Sequence, residues 1–271
     1  MDVVAVPVAT LWAEPAEGES ADRLTQLLLG DPALVLGSDG EWVRVVATDQ
    51  AADGLDPRGY PGWLRADSVT SASTVDGPRY IVDSLHVELC AEPGGEPVLA
   101  GVAMGTLLTA TGTPHDGWLP VSVAGVSAWA PLPGLAPCTA PGPVDPAAVV
   151  AFAGRLLGTP YLWGGLSPAG IDCSGLVHLA WRRYGVRLPR DAHDQYATTS
   201  PIPFGTERPG DLYFFAHPGQ RAHHVGFVAA PPDGQRHMLH ASGSVLSEPV
   251  LGERAETLVA VHRVPLGRPF G

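Results

Sequence analysis

The chain has 271 residues, 45% of them apolar, which is enough for two or three domains with cores of their own. Its formal net charge is −12, all sixteen basic residues are arginines, and the charge is spread without long runs. A basic patch is typical of proteins that bind nucleic acid or anionic membranes, so the charge pattern argues against both classes.

The three cysteines, Cys90, Cys138 and Cys173, are an odd number at irregular spacing. This pattern predicts neither a disulfide framework nor a zinc knuckle, and we expect no cofactor and no metal. The first residues lack the basic and apolar segments of a secretory signal, and no run approaches the roughly 18 apolar residues of a membrane span. We therefore expect a cytoplasmic protein, or an extracellular one if a leader has been removed.

Residues 1 to about 132 contain an internal repeat. The matching segments are 11–15 with 89–93, 40–46 with 117–123, and, more weakly, 62–64 with 128–130. Each copy has short alternating segments broken by Gly, Asp and Pro, which predicts two small β-barrels over 1–70 and 71–132. They resemble tandem bacterial SH3-like modules, which in cell-wall proteins often bind or frame peptidoglycan.

A proline-rich stretch follows, and we expect a stiff, extended linker over 133–146. Asp145 and Pro146 then suit the cap and first position of a helix that ends at Gly158. This helix begins the last predicted domain, 147–271.

The second predicted helix carries the third cysteine. Asp172 is a good N-cap, Gly185 a good stop, and the apolar residues between them are spaced along one helix face. Cys173 then lies in the first turn, where free N–H groups and the helix dipole lower the pKa of a thiol. We expect a nucleophilic thiolate; the alternative is a buried structural cysteine.

Four strand-like segments follow, 212–215, 224–230, 238–241 and 258–264, so the last domain is predicted to be α+β. His224 and His240 lie on successive strands and are candidates for the base that a thiol nucleophile needs. A cysteine helix packed on a sheet that carries two histidines is a papain-like arrangement. A zinc site built from these and neighbouring histidines is disfavoured, because alternate strand positions face opposite sides.

Six short motifs identify the last domain by resemblance. Tyr-x-Trp-Gly-Gly, Asp-Cys-Ser-Gly, Leu-Pro-Arg, Pro-Gly-Asp-Leu, His-Val-Gly and Leu-His-Ala occur in this order over about 147–271. Together they resemble the NlpC-type family of bacterial cell-wall cysteine peptidases. The resemblance implies Cys173 as nucleophile, His224 as base and His240 as the residue that orients the base.

The resemblance also implies the substrate. NlpC-type enzymes commonly hydrolyse the γ-D-glutamyl to diamino-acid bond of peptidoglycan stem peptides. In relatives with SH3-like modules, residues matching Tyr161, Asp172 and Ser174 hold a peptide that begins with a free L-Ala joined to D-Glu. Trp163 of the first motif is placed at the substrate with them. From the sequence, N-capping explains Asp172 equally well.

Some of these relatives also use a Glu and a Tyr of the first module to close the subsite, and Glu14 and Tyr60 occupy comparable segments. The expected partners are therefore peptides such as L-Ala-γ-D-Glu-diamino acid, released during murein recycling. Three alternatives remain open: a secreted hydrolase of intact peptidoglycan anchored by the modules, a CHAP-type amidase, and an inactive wall-binding protein.

Overall fold

The computed structural model describes residues 1–16, 18, 21–52, 54–138, 144–229 and 234–265. They form two compact units. The first comprises Met1–Cys138 and Leu166–Pro168, and the second comprises the remaining described residues, 144–165, 169–229 and 234–265. Across these ranges, every helix is too short or too polar to cross a bilayer.

The described residues of the first unit form strands and two single 3-10 turns, Ala66–Ser68 and Leu132–Gly134. Its first seven strands are β1 (Asp2–Val4), β2 (Val8–Trp12), β3 (Arg23–Leu28), β4 (Ala33–Asp39), β5 (Trp42–Ala47), β6 (Tyr60–Arg65) and β7 (Val69–Ser71). The next seven are β8 (Arg79–Val82), β9 (His86–Cys90), β10 (Pro97–Ala103), β11 (Leu107–Ala110), β12 (Trp118–Val123), β13 (Val126–Pro131) and β14 (Leu135–Pro137).

The strand order repeats as the sequence does. One sheet has the order β3-β2-β6-β5-β4, and the other contains β10-β9-β13-β12-β11, the same order shifted by seven strands. Trp12 pairs with Trp63 in the first sheet, and Cys90 pairs with Trp129 at the matching place in the second. The first and last strands of each copy, β1 with β7 and β8 with β14, also pair with each other.

Alternating side chains build the core of each copy. In β12, Leu119, Val121 and Val123 point inward and are buried, while the residues between them are half-buried. Tyr60 begins β6, where it pairs with Ala47 and is buried in the core of the first sheet.

The second copy extends further along the chain than predicted. The predicted linker began at 133, whereas the 3-10 turn and β14 continue the second copy to Pro137. Prolines are tolerated there because they start a 3-10 turn and end an edge strand. Residues 139–143 of that linker lie outside the described residues.

Neither sheet of described strands closes on itself, so closed SH3-like barrels stay a prediction.

A short piece of later chain completes the first unit. β15 (Leu166–Ser167) contacts β3, and the Leu166 N–H donates to the Gln26 side-chain oxygen at 2.9 Å. Gln26 is buried, so this bond satisfies an acceptor that water would not reach.

The second unit is α+β, as predicted. Its helices are α1 (Pro146–Gly154), α2 (Cys173–Arg182), α3 (Ala192–Thr198) and α4 (Glu253–Thr257). Its strands are β16 (Gly170–Ile171), β17 (Ser200–Ile202), β18 (Leu212–Phe215), β19 (His224–Ala229), β20 (His237–Ser242), β21 (Ser244–Pro249) and β22 (Leu258–Arg263). The six strands β17 to β22 form one antiparallel sheet in the order β17-β22-β18-β19-β20-β21.

The buried helix α2 is central to this unit. All its residues are buried, and it packs against β19 and β20 on one side and α1 on another. Strand β18 is also buried along its whole length, as expected of a strand covered on both faces. The start of α2 is thereby held against the middle of the sheet, where the two candidate histidines lie.

Candidate active site

Helix α2 starts at Cys173, as the sequence predicted. Asp172 caps it: its Oδ1 accepts from the Gly175 N–H at 2.7 Å. At the other end Gly185 adopts a left-handed conformation with φ 74°, and the Val186 N–H reaches back to the Trp181 carbonyl. This closes the helix in the manner of a Schellman motif.

The capping carboxylate is held by a buried arginine. Arg190 donates Nη1–H to Asp172 Oδ1 at 2.9 Å and Nη2–H to Oδ2 at 2.7 Å. The Gly164 N–H also donates to Oδ2, at 2.8 Å. Both side chains are almost fully buried, with 1% and 8% of their surface exposed. From the sequence, Arg190 had no predicted role; its only signal was its place in the Leu-Pro-Arg motif.

One glycine allows the helix start to approach its neighbours. A Cβ on Gly175 would lie 2.5 Å from the Gly165 carbonyl oxygen, a backbone atom that cannot move aside. Any larger residue at the last position of Asp-Cys-Ser-Gly would clash with the backbone, so this position requires glycine.

The two candidate histidines meet on the sheet. His224 begins β19, His240 lies in β20, and His224 Nε2 is 2.8 Å from His240 Nδ1. The rings are nearly perpendicular, and the two residues are 7% and 0% exposed. The adjacent His223 is exposed, so of these two neighbours only His224 lies in the buried pair.

Gly226 makes room for this pair. A Cβ at Gly226 would lie 2.9 Å from the Cβ of His240, closer than real Cβ contacts come. Because the glycine of His-Val-Gly carries no Cβ, the His240 side chain has the space that it needs to reach His224.

The thiol lies beside the histidine strand. Cys173 is 6% exposed, and its thiol is hydrogen-bonded by the N–H of Val225, the residue after His224, and by that of Ser174. The structure thus brings together the predicted nucleophile and the strand of the predicted base.

The resting protonation states differ from the expectation. Burial, followed by the negative charge of Asp172, raises the pKa of the Cys173 thiol to about 12, although the two N–H donors pull it down. Burial, followed by the neighbouring His240, lowers the pKa of His224. Desolvation therefore opposes the predicted resting thiolate in the free protein and favours a neutral thiol beside a neutral imidazole.

Two predicted substrate contacts lie at the same place. Burial, then repulsion from Cys173 in its ionised form and from Asp172, raises the pKa of Tyr161, so its hydroxyl stays protonated and able to donate. Ser174 Oγ lies 3.3 Å from Asp172 Oδ1 and accepts from Arg190 at 3.0 Å.

The other predicted contacts are more dispersed. Trp163 is 65% exposed on the loop before α2. Glu14 and Tyr60 belong to the first unit, where Glu14 is exposed at the end of β2 and Tyr60 is buried. Their roles at a substrate remain predictions.

A thiol at the start of a helix, followed along the chain by an imidazole on an antiparallel sheet, is the arrangement of papain-like cysteine peptidases. The fold of the second unit therefore belongs to that class.

Comparisons with known proteins support the class and supply the family. Residues 158–259 match the NlpC/P60 family. The chain is 29% identical over 243 residues to the γ-D-glutamyl-L-lysine dipeptidyl-peptidase of Bacillus subtilis, covering 89% of this chain and 77% of the relative. A Bacillus cereus protein of the same name is 27% identical over 260 residues, covering 92% and 73%.

A solved structure shows the same fold. The crystal structure of an NlpC/P60 family protein from Bacillus cereus matches with a TM-score of 0.86, covering 97% of this chain and 99% of that one, at 23% identity. Residues 158–259 thus form an NlpC/P60 domain, and the chain is a cysteine peptidase homologous to these Bacillus enzymes.

The buried ion pair predicts a large stability effect. Replacing Arg190→Met leaves the Asp172 carboxylate buried without its partner, and we expect a loss of about 3–5 kcal/mol in the free energy of unfolding of the second unit. Urea unfolding followed by tryptophan fluorescence measures it. The matched control, Arg221→Met, removes an exposed cation of the same unit and should cost less than about 0.5 kcal/mol. Equal losses in the two variants would contradict the buried pair's importance.

The glycine opposite His240 predicts an activity effect. Gly226→Ala should displace His240 and reduce kcat about 10- to 100-fold, because the base loses its orientation. Hydrolysis of a γ-D-glutamyl-L-lysine peptide, the bond named for the Bacillus relatives, is the assay. Gly154→Ala adds the same methyl group where nothing lies within 4 Å and should leave kcat unchanged. Wild-type kcat in Gly226→Ala would show that the sheet absorbs the methyl group.

The lowered pKa of His224 predicts the acid limb of the pH profile. A base with a lowered pKa stays unprotonated below the ordinary histidine value of about 6.5, so activity should persist into that range. We expect the half-maximal point of kcat/KM on the acid side to lie below pH 6.5. Rates from pH 4 to 8, with circular dichroism at each pH to exclude unfolding, test this. A half-maximal point above pH 6.5 would contradict it.

Proposed function

We propose that the protein hydrolyses the γ-D-glutamyl to diamino-acid bond of peptides released from peptidoglycan, with L-Ala-γ-D-Glu-diamino acid as substrate. The observation that carries the proposal is the grouping of Cys173, His224 and His240 at one point of the NlpC/P60 fold. The names of the two Bacillus relatives, which span most of this chain, support the choice of bond.

The chemistry starts from a neutral pair. As the substrate's γ-carbonyl approaches, the Cys173 thiol gives its proton to His224 and the sulfur attacks the carbon. The negative oxygen that forms is met by the Cys173 N–H, which has no helical partner at the start of α2, and by the Tyr161 hydroxyl. His240 holds the ring of His224 in place throughout.

The second half releases the products. The protonated His224 gives its proton to the amine of the diamino acid, so the C–N bond breaks and a γ-glutamyl thioester remains on Cys173. His224 then takes a proton from water, which attacks the thioester. The sulfur leaves, recovers the proton, and frees L-Ala-D-Glu.

The amino end of the substrate is the proposed source of specificity. A carboxylate at the cleft is the natural partner of an α-ammonium, and Asp172 lies beside the nucleophile. Its oxygens already accept from Arg190 and two backbone N–H groups, so the ammonium would join an existing network. Tyr161, Ser174 and Trp163 are the proposed contacts from the same unit.

The first unit has a proposed role as well. We interpret its two repeats as SH3-like modules, and Glu14 and Tyr60 as residues that limit access to the subsite. A closed subsite that requires a free amine would exclude stem peptides still attached to glycan. The net charge of −12 agrees with soluble peptides as substrates, and we propose that the protein acts in the cytoplasm.

The nucleophile is tested by substitution. Cys173→Ala should reduce the release of diaminopimelate from L-Ala-γ-D-Glu-diaminopimelate by about 10⁵- to 10⁶-fold in kcat, because removing a nucleophile disables the whole group. Mass spectrometry of the products measures it. Cys138→Ala, at a half-buried cysteine of the first unit, is the matched control and should leave turnover unchanged. Unchanged turnover in Cys173→Ala would end the proposal.

The free amine is tested on the substrate side. N-acetylation removes the ammonium charge. We expect kcat/KM to fall at least about 10- to 100-fold, which corresponds to the loss of one hydrogen bond to a charged group. Intact sacculi should be cleaved more slowly than the free tripeptide. Equal rates for acetylated and free peptide would exclude amine recognition, and a preference for sacculi would favour a hydrolase of the intact wall.

A further inference from the structure

His240 has a second partner besides His224. Its Nε2 lies 2.9 Å from Oε1 of Glu248, on the side of the ring away from His224. The His240 side chain is 0% exposed, and that of Glu248 is 37% exposed, so the contact leads from the buried site towards solvent.

The strand register places this carboxylate. His240 in β20 is directly opposite Leu246 in β21, and Glu248 is two residues further along. Side chains two apart on a strand share a face, so Glu248 is a diagonal neighbour of His240, within reach of a long side chain. Arg254 holds the Glu248 carboxylate in place. The Arg254 Nε is 3.5 Å from Glu248 Oε1, and the Arg254 Nη2 donates to the Ser242 hydroxyl at 2.6 Å.

The contact determines where the protons are. A carboxylate can only accept, so Nε2 of His240 must carry a proton. In the neutral ring, Nδ1 of His240 is then an acceptor, and the 2.8 Å contact requires His224 Nε2 to be the donor. Nδ1 of a neutral His224 is left without a proton, which is the form that can take one from Cys173.

The opposite assignment would disable the base. If His240 carried its proton on Nδ1, His224 would accept at Nε2 and hold its own proton on Nδ1. Its remaining nitrogen would then be unable to receive the proton of the thiol. Two buried imidazoles in contact permit either arrangement, and an acceptor at the far end removes the choice.

We propose that Glu248 is a positioning residue, which fixes the tautomers of His240 and His224 through two hydrogen bonds and so keeps the base ready for Cys173. It touches neither substrate nor reacting atoms and holds no proton at any step. The inference rests on the proposed roles of Cys173, His224 and His240.

The tautomers can be observed without any assay of activity. In protein labelled with ¹⁵N-histidine at pH 7, we expect both His224 and His240 to show a proton on Nε2 and a bare Nδ1. Comparison with His224→Asn and His240→Asn assigns the signals. In Glu248→Ala, either residue should show partial protonation of Nδ1. A protonated Nδ1 on His224 in the wild type, or unchanged tautomers in Glu248→Ala, would overturn the inference.

Kinetics provide the second readout. Glu248→Ala should lower kcat about 10- to 100-fold, the usual effect of removing the outer partner of a functional histidine, and change KM less than about threefold. Glu248→Gln should fall between this variant and wild type, because an amide oxygen can still accept from His240. Glu253→Gln removes an exposed carboxylate of the next helix and should match wild type.

The two proposals fail in different ways. If Cys173→Ala remains active, the proposed nucleophile is wrong, whatever the tautomers are. If Cys173 is essential and folded Glu248→Ala matches the wild-type kcat, only the role of Glu248 is excluded. Thermal melting of each variant shows whether it is folded.

Discussion

The site depends on one buried carboxylate. Asp172 caps α2, accepts both N–H groups offered by Arg190, and accepts the Gly164 N–H of the preceding loop. These bonds fix the point where α2 begins, and hence the position of Cys173. A buried charge is costly unless it is paired and fully hydrogen-bonded, so the geometry that satisfies the carboxylate also defines where the nucleophile stands.

Glycines set the spacing between the parts that meet there. Gly175 lets the helix start come against the loop at Gly165, and Gly226 leaves room for the His240 side chain. The helix supplies the thiol and the sheet supplies two imidazoles, and neither could close on the other with larger residues at these points. The short motifs of the sequence therefore combine chemical groups with the space that they need.

Much of this could be predicted from local rules. A capping Asp, a stop at Gly185 and the order of helix and strands indicated the fold of the second unit and the positions of Cys173 and His224. What sequence reasoning missed depends on long-range contacts: the pairing of Arg190 with Asp172 joins segments 18 residues apart. Burial, which the sequence does not show, opposes the resting thiolate that the helix start predicts.

The piece of chain at Leu166–Pro168 has a consequence for how the protein is made. The side-chain oxygen of buried Gln26 accepts a hydrogen bond from the N–H of Leu166, 140 positions later in the chain. A ribosome that has released only the first 138 residues has therefore not yet supplied the last strand of the N-terminal unit. The first unit can be completed only after the loop before Cys173 has been synthesised. Its last strand and the start of α2 therefore leave the ribosome within a few residues of each other.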